Sequence, residues 1–430
     1  MFFNRTLAAL GCCVTCLALS TATAPAATRV MFGNAYSTGL TVLHSFQSAG
    51  GDLGYPYGNL VEGPAGAFYG LADSRENGAP DSGGCGSMFK LSPPPAPGGK
   101  WSEKILFAFS GDVCYPQNLV YGSDRALYGV TDSATAFRLA PPSQGGTSWT
   151  IRVIAEFGSN DGPHPAVGRD PSALLAGSDG SFYGATEHGG KYGGGTVFRL
   201  TPPGSGSQAW TTTVLHRFGS DSVVCAPEGG LAMDATGALY GFAAGCGPQG
   251  MGGVFRLTEA SSGAWTPTLL ASFNYLAPGG IPVFDAAGDI YGIAVGADPS
   301  TGIGDFMGSV FELVNEGGGA YTTSVLFSYN YYKPYKYLLG VALSPAGVLY
   351  GAASGVSPDG NGNRDAPGFL WSLGPGSTGA IFTKLHDFGT GKGGRWPSIS
   401  SLFIGAKGDL YGVCLAGGEY DQGTVFRYVP

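Results

Sequence analysis

Residues 229–241 read GGLAMDATGALYG, and residues 196–200 read TVFRL. The first stretch is an apolar strand, an Asp-x-x-Gly turn and a second strand that ends in Leu-Tyr-Gly. A polar residue followed by glycine within four positions is typical of a β-hairpin. In the second stretch Phe198 and Leu200 share one face, and Val197 and Arg199 share the other, which is a strand pattern. Together these stretches predict a β-hairpin and a further strand.

The same pattern recurs along the whole chain at spacings of 51 to 61 residues. The apolar-Tyr-Gly motif has its tyrosine at Tyr69, Tyr128, Tyr183, Tyr240, Tyr291, Tyr350 and Tyr411. The Val-Phe-Arg-Leu strand has its central aromatic residue at Phe89, Phe137, Phe198, Phe255, Phe311, Trp371 and Phe426. A further strand of the form Leu-His-Ser-Phe ends at Phe46, Phe109, Phe157, Phe218, Phe273, Tyr329 and Phe388. A period of this length indicates a repeat fold.

Each unit therefore supplies four strands, which we name A (Gly-Leu), B (Tyr-Gly), C (Val-Phe-Arg-Leu) and D (Leu-His-Ser-Phe). Four antiparallel strands per repeat are typical of a β-propeller blade. The repeats begin with a lone D strand at residues 41–46. They end with a unit that has only strands A, B and C, the last of which is at residues 425–428. We therefore predict an all-β, seven-bladed propeller whose ring is closed by the N-terminal strand joining the last blade. A β-helix is the alternative, although its rungs are usually shorter and lack a regular hairpin.

The combined pattern resembles that of the bacterial exported proteins known as tandem-repeat GloVer-containing, choice-of-anchor proteins. The best-matching unit runs from Phe182-Tyr183-Gly184 through Thr196–Pro202 to Val214–Phe218. The resemblance covers residues 41–430. It implies an exported repeat protein and carries no activity to transfer.

The first 27 residues differ from the rest of the chain. Arg5 is their only charge, an apolar run follows it, and Ala24-Pro25-Ala26 fits a small-x-small cleavage pattern. We predict a signal peptide at residues 1–27 and one propeller domain at residues 28–430, exported to the periplasm or the extracellular space. An uncleaved membrane anchor and a lipid anchor at Cys12 are the alternatives. We expect no transmembrane segment in the mature chain, and a monomer.

The charge of the chain argues against one class of partner. It has 22 Lys and Arg against 30 Asp and Glu, a net charge of −8, and no basic run. Nucleic-acid binding depends on clustered cations, so we expect no nucleic-acid partner.

Five cysteines lie beyond the predicted signal peptide. Cys225 and Cys246 fall in loops on one side of the fourth blade, and Cys85 and Cys114 fall in loops on that same side of the first. We predict disulfides Cys85–Cys114 and Cys225–Cys246, with Cys414 left free on strand B of the last blade. Five unpaired thiols are the alternative.

The histidines divide into two groups. His44, His216 and His386 recur at one position of strand D, which indicates a structural role. His164 and His188 lie in loops of the third blade, near Asp161 and Glu187, and are ligand-binding candidates. No nucleophile elbow, zinc motif or phosphate loop is present in the sequence.

Three loops have the residue types of a binding site. Asp359, Asn361, Asn363 and Asp365 alternate with other residues in a glycine-containing stretch and are candidate Ca²⁺ ligands, and we expect no other cofactor. Tyr331, Tyr332, Tyr335 and Lys333 form an aromatic and basic stretch that could stack on sugar. Carboxylates near the junction of the first and last blades (Glu76, Asp81, Glu419 and Asp421) could serve acid–base chemistry on a glycan.

These observations favour a non-enzymatic exported propeller that binds a glycan, peptide or protein ligand on the face formed by its D–A and B–C loops. The alternative is a polysaccharide-active hydrolase or lyase on the same scaffold. A structural surface protein is a third hypothesis. The fold alone does not choose among them.

Overall fold

A computed structural model of the chain describes residues 39–47, 53–73, 85–144, 146–158, 167–219, 224–273, 276–296, 307–329, 336–355, 368–375, 380–389, 392–398 and 402–430. Within these ranges the chain forms 29 β-strands and one 3-10 turn, Pro64–Gly66. The strands group into seven antiparallel sheets, one for each repeat. The predicted seven-bladed propeller is therefore confirmed.

The strands of the first four blades follow one another along the chain in the order A, B, C, D. Blade 1 contains β2 (Gly54–Glu62), β3 (Phe68–Asp73), β4 (Ser87–Ser92) and β5 (Ser102–Ala108). Blade 2 contains β6 (Pro116–Tyr121), β7 (Leu127–Thr131), β8 (Thr135–Ala140) and β9 (Thr150–Glu156). Blade 3 contains β10 (Arg169–Ala176), β11 (Phe182–His188), β12 (Thr196–Thr201) and β13 (Thr211–Arg217). Blade 4 contains β14 (Cys225–Met233), β15 (Leu239–Gly245), β16 (Gly253–Glu259) and β17 (Trp265–Ser272).

The last three blades include the one that is split between the chain ends. Blade 5 contains β18 (Leu276–Phe284), β19 (Ile290–Gly296), β20 (Met307–Gly317) and β21 (Ala320–Tyr329). Blade 6 contains β22 (Lys336–Leu343), β23 (Leu349–Gly355), β24 (Phe369–Gly374) and β25 (Ile381–Asp387). Blade 7 contains β26 (Arg395–Pro397), β27 (Phe403–Ile404), β28 (Leu410–Ala416), β29 (Thr424–Tyr428) and β1 (Leu40–Ser45). In blade 7 strand A is divided into β26 and β27, which both pair with β28.

Ring closure occurs through β1, as the repeat order predicts. This strand pairs antiparallel with β29, and Val42 lies opposite Phe426. The first strands of successive blades contact one another, so strand A lines the central channel and strand D is outermost.

Aromatic rings connect each blade to the next. The last aromatic residue of strand D packs against the central aromatic residue of strand C in the following blade. The ring-centroid distances are 5.2 Å for Phe46–Phe89, 5.4 Å for Phe109–Phe137, 4.8 Å for Phe157–Phe198, 5.0 Å for Phe218–Phe255, 5.1 Å for Phe273–Phe311 and 5.3 Å for Phe388–Phe426. The Phe46–Phe89 contact crosses the point of closure. Each such pair contributes about 0.5–1.5 kcal/mol beyond the area it buries.

The glycine of the Tyr-Gly motif makes room for these rings. Gly184 lies opposite Phe198 in the sheet, and a Cβ at Gly184 would be 2.5 Å from the end of the Phe198 ring. Any larger residue would displace the ring from the core. The motif is thus a packing requirement of every blade.

The Asp-x-x-Gly turn is held by its own aspartate. In blade 4, Oδ1 of Asp234 accepts the backbone N–H groups of Thr236 and Ala238 at 2.8 and 3.0 Å. The Tyr240 hydroxyl donates to the other oxygen of Asp234 at 3.0 Å. The turn, strand B and the tyrosine are therefore joined by one carboxylate.

A strand C arginine completes this arrangement in several blades. In blade 2, Asp124 accepts from Tyr128 at 2.9 Å and from Arg138 at 2.7 Å. Burial opposes ionisation of Asp124, but the hydrogen bonds from Arg138, Ala126 and Tyr128 hold its pKa below its usual value. The recurrence of this charged group identifies it as part of the scaffold.

Candidate functional site

The D–A and B–C connections lie at the same end of every blade, which we call the loop face. Strand A begins there, beside the channel, because strand A is innermost. Residues at the start of strand A therefore surround the opening of the channel on the loop face.

A strained residue begins strand A in most blades. Five non-glycine residues occupy the left-handed region immediately before a proline. They are Tyr55 (φ 54°), Tyr115 (φ 52°), Asp170 (φ 57°), Ala226 (φ 55°) and Trp396 (φ 55°), and we call them the mouth ring. This backbone conformation is costly for a residue with a side chain, and it occurs most often at functional sites.

Contacts between blades maintain the mouth ring. The N–H of Tyr55 donates to the Gln422 carbonyl at 2.7 Å, and that of Tyr115 donates to Cys85 at 2.9 Å. The acceptor lies in the B–C loop of the preceding blade in both cases. The ring thus keeps one backbone geometry while its side chains differ from blade to blade.

The mouth ring contains two kinds of side chain. Trp396, Tyr55 and Tyr115 come from the consecutive blades 7, 1 and 2, and Tyr115 is 42% exposed. Asp170 begins strand A of blade 3 and is half-exposed. An aromatic arc therefore continues into a carboxylate along the edge of the channel.

Asp170 belongs to a set of polar groups that spans three blades. His188 Nδ1 lies 3.1 Å from Asp170 Oδ2, and its Nε2 lies 3.7 Å from Glu187 Oε1. In blade 2, Gln117 donates to Asp132 at 2.6 Å. We call Gln117, Asp132, Asp170, His188, Glu187 and Glu228 the polar row.

Electrostatic coupling joins the members of the polar row. Burial raises the pKa of Asp132, and the nearby charge of Asp170 raises it further. The hydrogen bond from Gln117 lowers this pKa but does not cancel the increase. Desolvation of the carboxylate raises the pKa of Glu228, with a further contribution from Glu187, although part of the side chain reaches solvent. The row therefore holds carboxylates that retain a proton more readily than free ones.

The polar row departs from the repeat. Glu187 and Asp132 occupy the same strand B position, which is Asp73 in blade 1, Ala244 in blade 4 and Leu415 in blade 7. The position of His188 is Gly245 in blade 4. A small side chain is sufficient at the position of His188, so the histidine there is not a requirement of the scaffold.

Two disulfides brace the loop face. The structure contains Cys85–Cys114 and Cys225–Cys246, the two pairings that the topology predicts. Cys114 directly precedes Tyr115, and Cys225 directly precedes Ala226. Each bond thus ties a member of the mouth ring to a B–C loop.

Cys414 is free and fully buried, as predicted. It occupies the position of Thr186 in blade 3, whose hydroxyl lies 2.9 Å from that of Thr196. Burial raises the pKa of the Cys414 thiol. We interpret it as a packing residue of strand B.

The three strand D histidines are structural. His44, His216 and His386 each pack edge-on against the aromatic residue two positions later, at 4.7, 4.7 and 5.1 Å. Their common contact confirms the interpretation from the repeat.

Of the predicted ligand-binding residues, the structure places only His188, which lies in the middle of the polar row. The others lie outside the described residues. They are His164, Tyr331, Tyr332, Lys333 and Tyr335, together with the candidate Ca²⁺ ligands Asp359, Asn361, Asn363 and Asp365. Within the described ranges no group of three His, Cys, Asp or Glu side chains could hold a metal ion.

The predicted carboxylate pair between blades 1 and 7 is only half described, because Glu76 and Asp81 lie outside the described residues. In blade 7, Asp421 forms an ion pair with Arg395 at 2.6 Å. Asp421 is therefore neutralised within its own blade.

Sequence reasoning missed Asp132, Asp170, Glu228 and the mouth ring. One signal was available: an X-Pro pair that recurs at the start of strand A while X changes from Tyr to Asp, Ala and Trp. At such a position the backbone conformation is the same in each repeat and only the side chain differs. A repeat protein can therefore change its ligand there without changing its fold.

The fold and its braced loop face define the class: a seven-bladed β-propeller made of tandem repeats. Residues 133–304 match the Gloeobacter/Verrucomicrobia repeat, so the chain carries this repeat, and the resemblance drawn from its motifs is confirmed. No curated protein matches the chain at a significant level.

Solved structures with the same architecture are distant in sequence. A protein from Lactobacillus plantarum is 14% identical, with a TM-score of 0.50 over 80% of this chain and 89% of that one. An ulvan lyase of polysaccharide lyase family PL25 is 9% identical, with a TM-score of 0.50 over 90% and 94%. YCF48 bound to a D1 peptide is 12% identical, with a TM-score of 0.50 over 93% and 99%. Likeness at these identities shows the fold alone.

Proposed function

We propose that this protein is an exported binding module that holds a glycan, peptide or protein ligand on its loop face. The observation that carries the proposal is the polar row, which crosses blades 2, 3 and 4 and departs from the repeat. The row lies beside the aromatic members of the mouth ring. Carboxylates and amides that accept hydrogen bonds, next to exposed rings, are the groups that such ligands require.

Rigidity supports a binding role. The N–H groups of Tyr55, Tyr115 and Ala226 donate to the preceding blade, and disulfides fix the residues next to Tyr115 and Ala226. Side chains held in place before the ligand arrives lose less entropy on binding. Among the distant structures, one is a complex with a peptide and another is a lyase, so this architecture serves both kinds of protein.

The test is a glycan- and peptide-array screen of the chain without residues 1–27, repeated on two variants. His188→Ala combined with Asp170→Asn removes the centre of the polar row. Glu259→Gln is the matched control, because Glu259 is exposed at the far end of strand C. We expect the double variant to lose the ligand that the wild type selects and the control to keep it. Unchanged binding by the double variant would refute the proposed site.

A second candidate function is polysaccharide cleavage. Glu228 has a raised pKa, and His188 lies between two carboxylates, an arrangement that can supply an acid and a base. Incubation with polysaccharides and measurement of new chain ends tests it. New ends formed by the wild type and by Glu259→Gln, but not by His188→Ala with Asp170→Asn, would establish the enzyme.

Export is supported by the two disulfides, which persist in oxidising compartments. Among the described residues no helix is long and apolar enough to cross a membrane. Cleavage after residue 27 stays a prediction, which N-terminal sequencing of the exported protein tests.

Calcium binding by Asp359, Asn361, Asn363 and Asp365 also stays a prediction, and the absence of a thermal shift with Ca²⁺ would count against it.

A further inference from the structure

A second surface, on the outer wall of the propeller, has the properties of a polymer site. A groove of about 1070 Å³ follows β1 along the outer wall where blade 7 meets blade 1. We call it the seam groove, and Trp101, Tyr411, Tyr420, Lys100, Lys392 and Lys407 are among its lining residues. The six residues of β1 extend about 20 Å, and the volume is at the upper limit for small-molecule sites. A segment of an extended polymer fits these dimensions.

Part of the groove arises from the repeat itself. A smaller cleft of about 540 Å³ lies between blades 3 and 4, where Tyr183 and Trp265 occupy the positions of Tyr411 and Trp101. The smaller cleft contains Asp179 and Glu259 and no lysine. The two clefts therefore share a geometry and differ in charge.

One substitution in the repeat produces much of this difference. Lys407 occupies the turn position that is Asp179 in blade 3. Asp179 pairs with Arg199, whereas in blade 7 the arginine pairs instead with Asp409, at 2.6 Å. In blade 7 the arginine is therefore neutralised without an aspartate at the tip of the turn, and Lys407, which occupies that tip, remains exposed to the groove.

Lys100 and Lys392 add two further exposed cations. Within the described residues, no salt bridge involves Lys100, Lys392 or Lys407. Glu62 lies at the end of the groove that is formed by the A–B turns, and Glu419 lies at the opposite end, on the loop face. Three unpaired lysines are unusual in a chain with a net charge of −8, and they favour an anionic ligand.

Aromatic side chains lie beside these cations. Trp101 stacks on Phe68 at 5.6 Å with an interplanar angle of 20°, which holds its ring in a defined orientation. Tyr420 is 50% exposed at the loop-face end. Oriented rings next to lysines suit a chain of sugar rings that carries acidic groups.

We propose that the seam groove binds an acidic polysaccharide, with its carboxylate or sulfate groups on the lysines and its rings against Trp101 and Tyr420. Nucleic-acid binding depends on clustered cations along the phosphate backbone, and this chain has no basic run. This groove reaches the loop face only at the blade 7 end and contains no residue of the polar row, so it does not depend on the function proposed there.

The test is calorimetric titration of the chain without residues 1–27 with oligogalacturonate, with a neutral cello-oligosaccharide of equal length as comparison. We expect the uronate oligomer alone to bind, and its affinity to fall as salt rises. Lys100→Ala with Lys407→Ala should weaken binding about ten-fold, since both substitutions remove exposed charges without touching the core. Lys191→Ala, which removes an exposed lysine on blade 3, is the matched control and should bind like the wild type.

Three results would overturn the proposal. They are equal affinity for the neutral oligomer, unchanged affinity in the double lysine variant, and equally tight binding of single-stranded DNA. If His188→Ala with Asp170→Asn abolished uronate binding while the lysine variant retained it, the ligand would be on the loop face. That result would reject the seam groove and leave the function proposed above standing.

Discussion

Glu312 in blade 5 replaces the strand C arginine that neutralises the turn aspartate in blades 2, 3 and 7. The Tyr291 hydroxyl lies 2.9 Å from Glu312 Oε1 and 3.3 Å from Asp285 Oδ2. Burial raises the pKa of Glu312, and the charges of Asp289 and Asp285 raise it further. Blade 5 therefore contains repulsion at the position where blades 2, 3 and 7 have an ion pair.

Glu312→Arg should stabilise the protein at pH 7. A partly exposed ion pair contributes up to about 1 kcal/mol, and removal of the like-charge contacts adds a similar amount, so we expect a gain of about 1.5 kcal/mol. With about 2.1 cal/mol/K of unfolding entropy per residue, this gain raises the Tm of about 400 residues by about 2 °C. Scanning calorimetry measures this shift directly.

Two further variants separate the causes. Glu312→Gln removes only the repulsion, so it should give about half the gain. Because the folded pKa of Glu312 is raised, its penalty is absent below the unfolded value of about 4.3 and appears as pH rises through the folded pKa. The advantage of Glu312→Gln should therefore vanish near pH 4. Arg138→Glu in blade 2 is the reverse exchange and should destabilise the protein at pH 7. No gain for Glu312→Arg at pH 7, or a gain for Glu312→Gln that persists at pH 4, would refute the reasoning.

Two further predictions concern the loop face. Gly195 has φ +90°, and a Cβ there would lie 2.7 Å from the Glu187 carbonyl oxygen and 2.7 Å from Cδ of Pro227 in the next blade. Gly195→Ala should therefore lower the free energy of unfolding, measured by urea denaturation, by at least about 2 kcal/mol. A change near zero would contradict the inter-blade contact. The Cys225–Cys246 bond spans 21 residues, so Cys225→Ser with Cys246→Ser should lower the free energy of unfolding by about 3 kcal/mol. Non-reducing peptide mapping checks the bond itself, and detection of a free Cys225 thiol in the native protein would reject the pairing.

The disulfides show how far topology carries a sequence argument. Once four strands are assigned to each unit, Cys225 and Cys246 must lie at the same end of one blade, so their pairing follows without coordinates. The same reasoning identifies His44, His216 and His386 as packing residues, because histidine recurs at one strand D position in three blades.

The candidate site could not be found in that way. Asp132, Asp170 and Glu228 belong to three different blades, and their coupling depends on how those blades are rotated about the channel. Asp170 has the left-handed conformation in the folded chain, whereas a residue before proline prefers extended backbone. Of the polar row, only His188 was identified, because an acidic neighbour in the chain marked it.

The architecture follows from the sequence alone: the Leu-Tyr-Gly and Val-Phe-Arg-Leu stretches set four strands per blade, and the divided last unit closes a ring of seven. These features are local or periodic, and hydrophobic spacing and turn chemistry are sufficient to specify them. The places where the unrepeated charges meet, namely the polar row at the channel and the lysines of the seam groove, come from the folded structure. These contacts depend on the relative orientation of neighbouring blades. That orientation is set by packing between side chains that are far apart in the sequence.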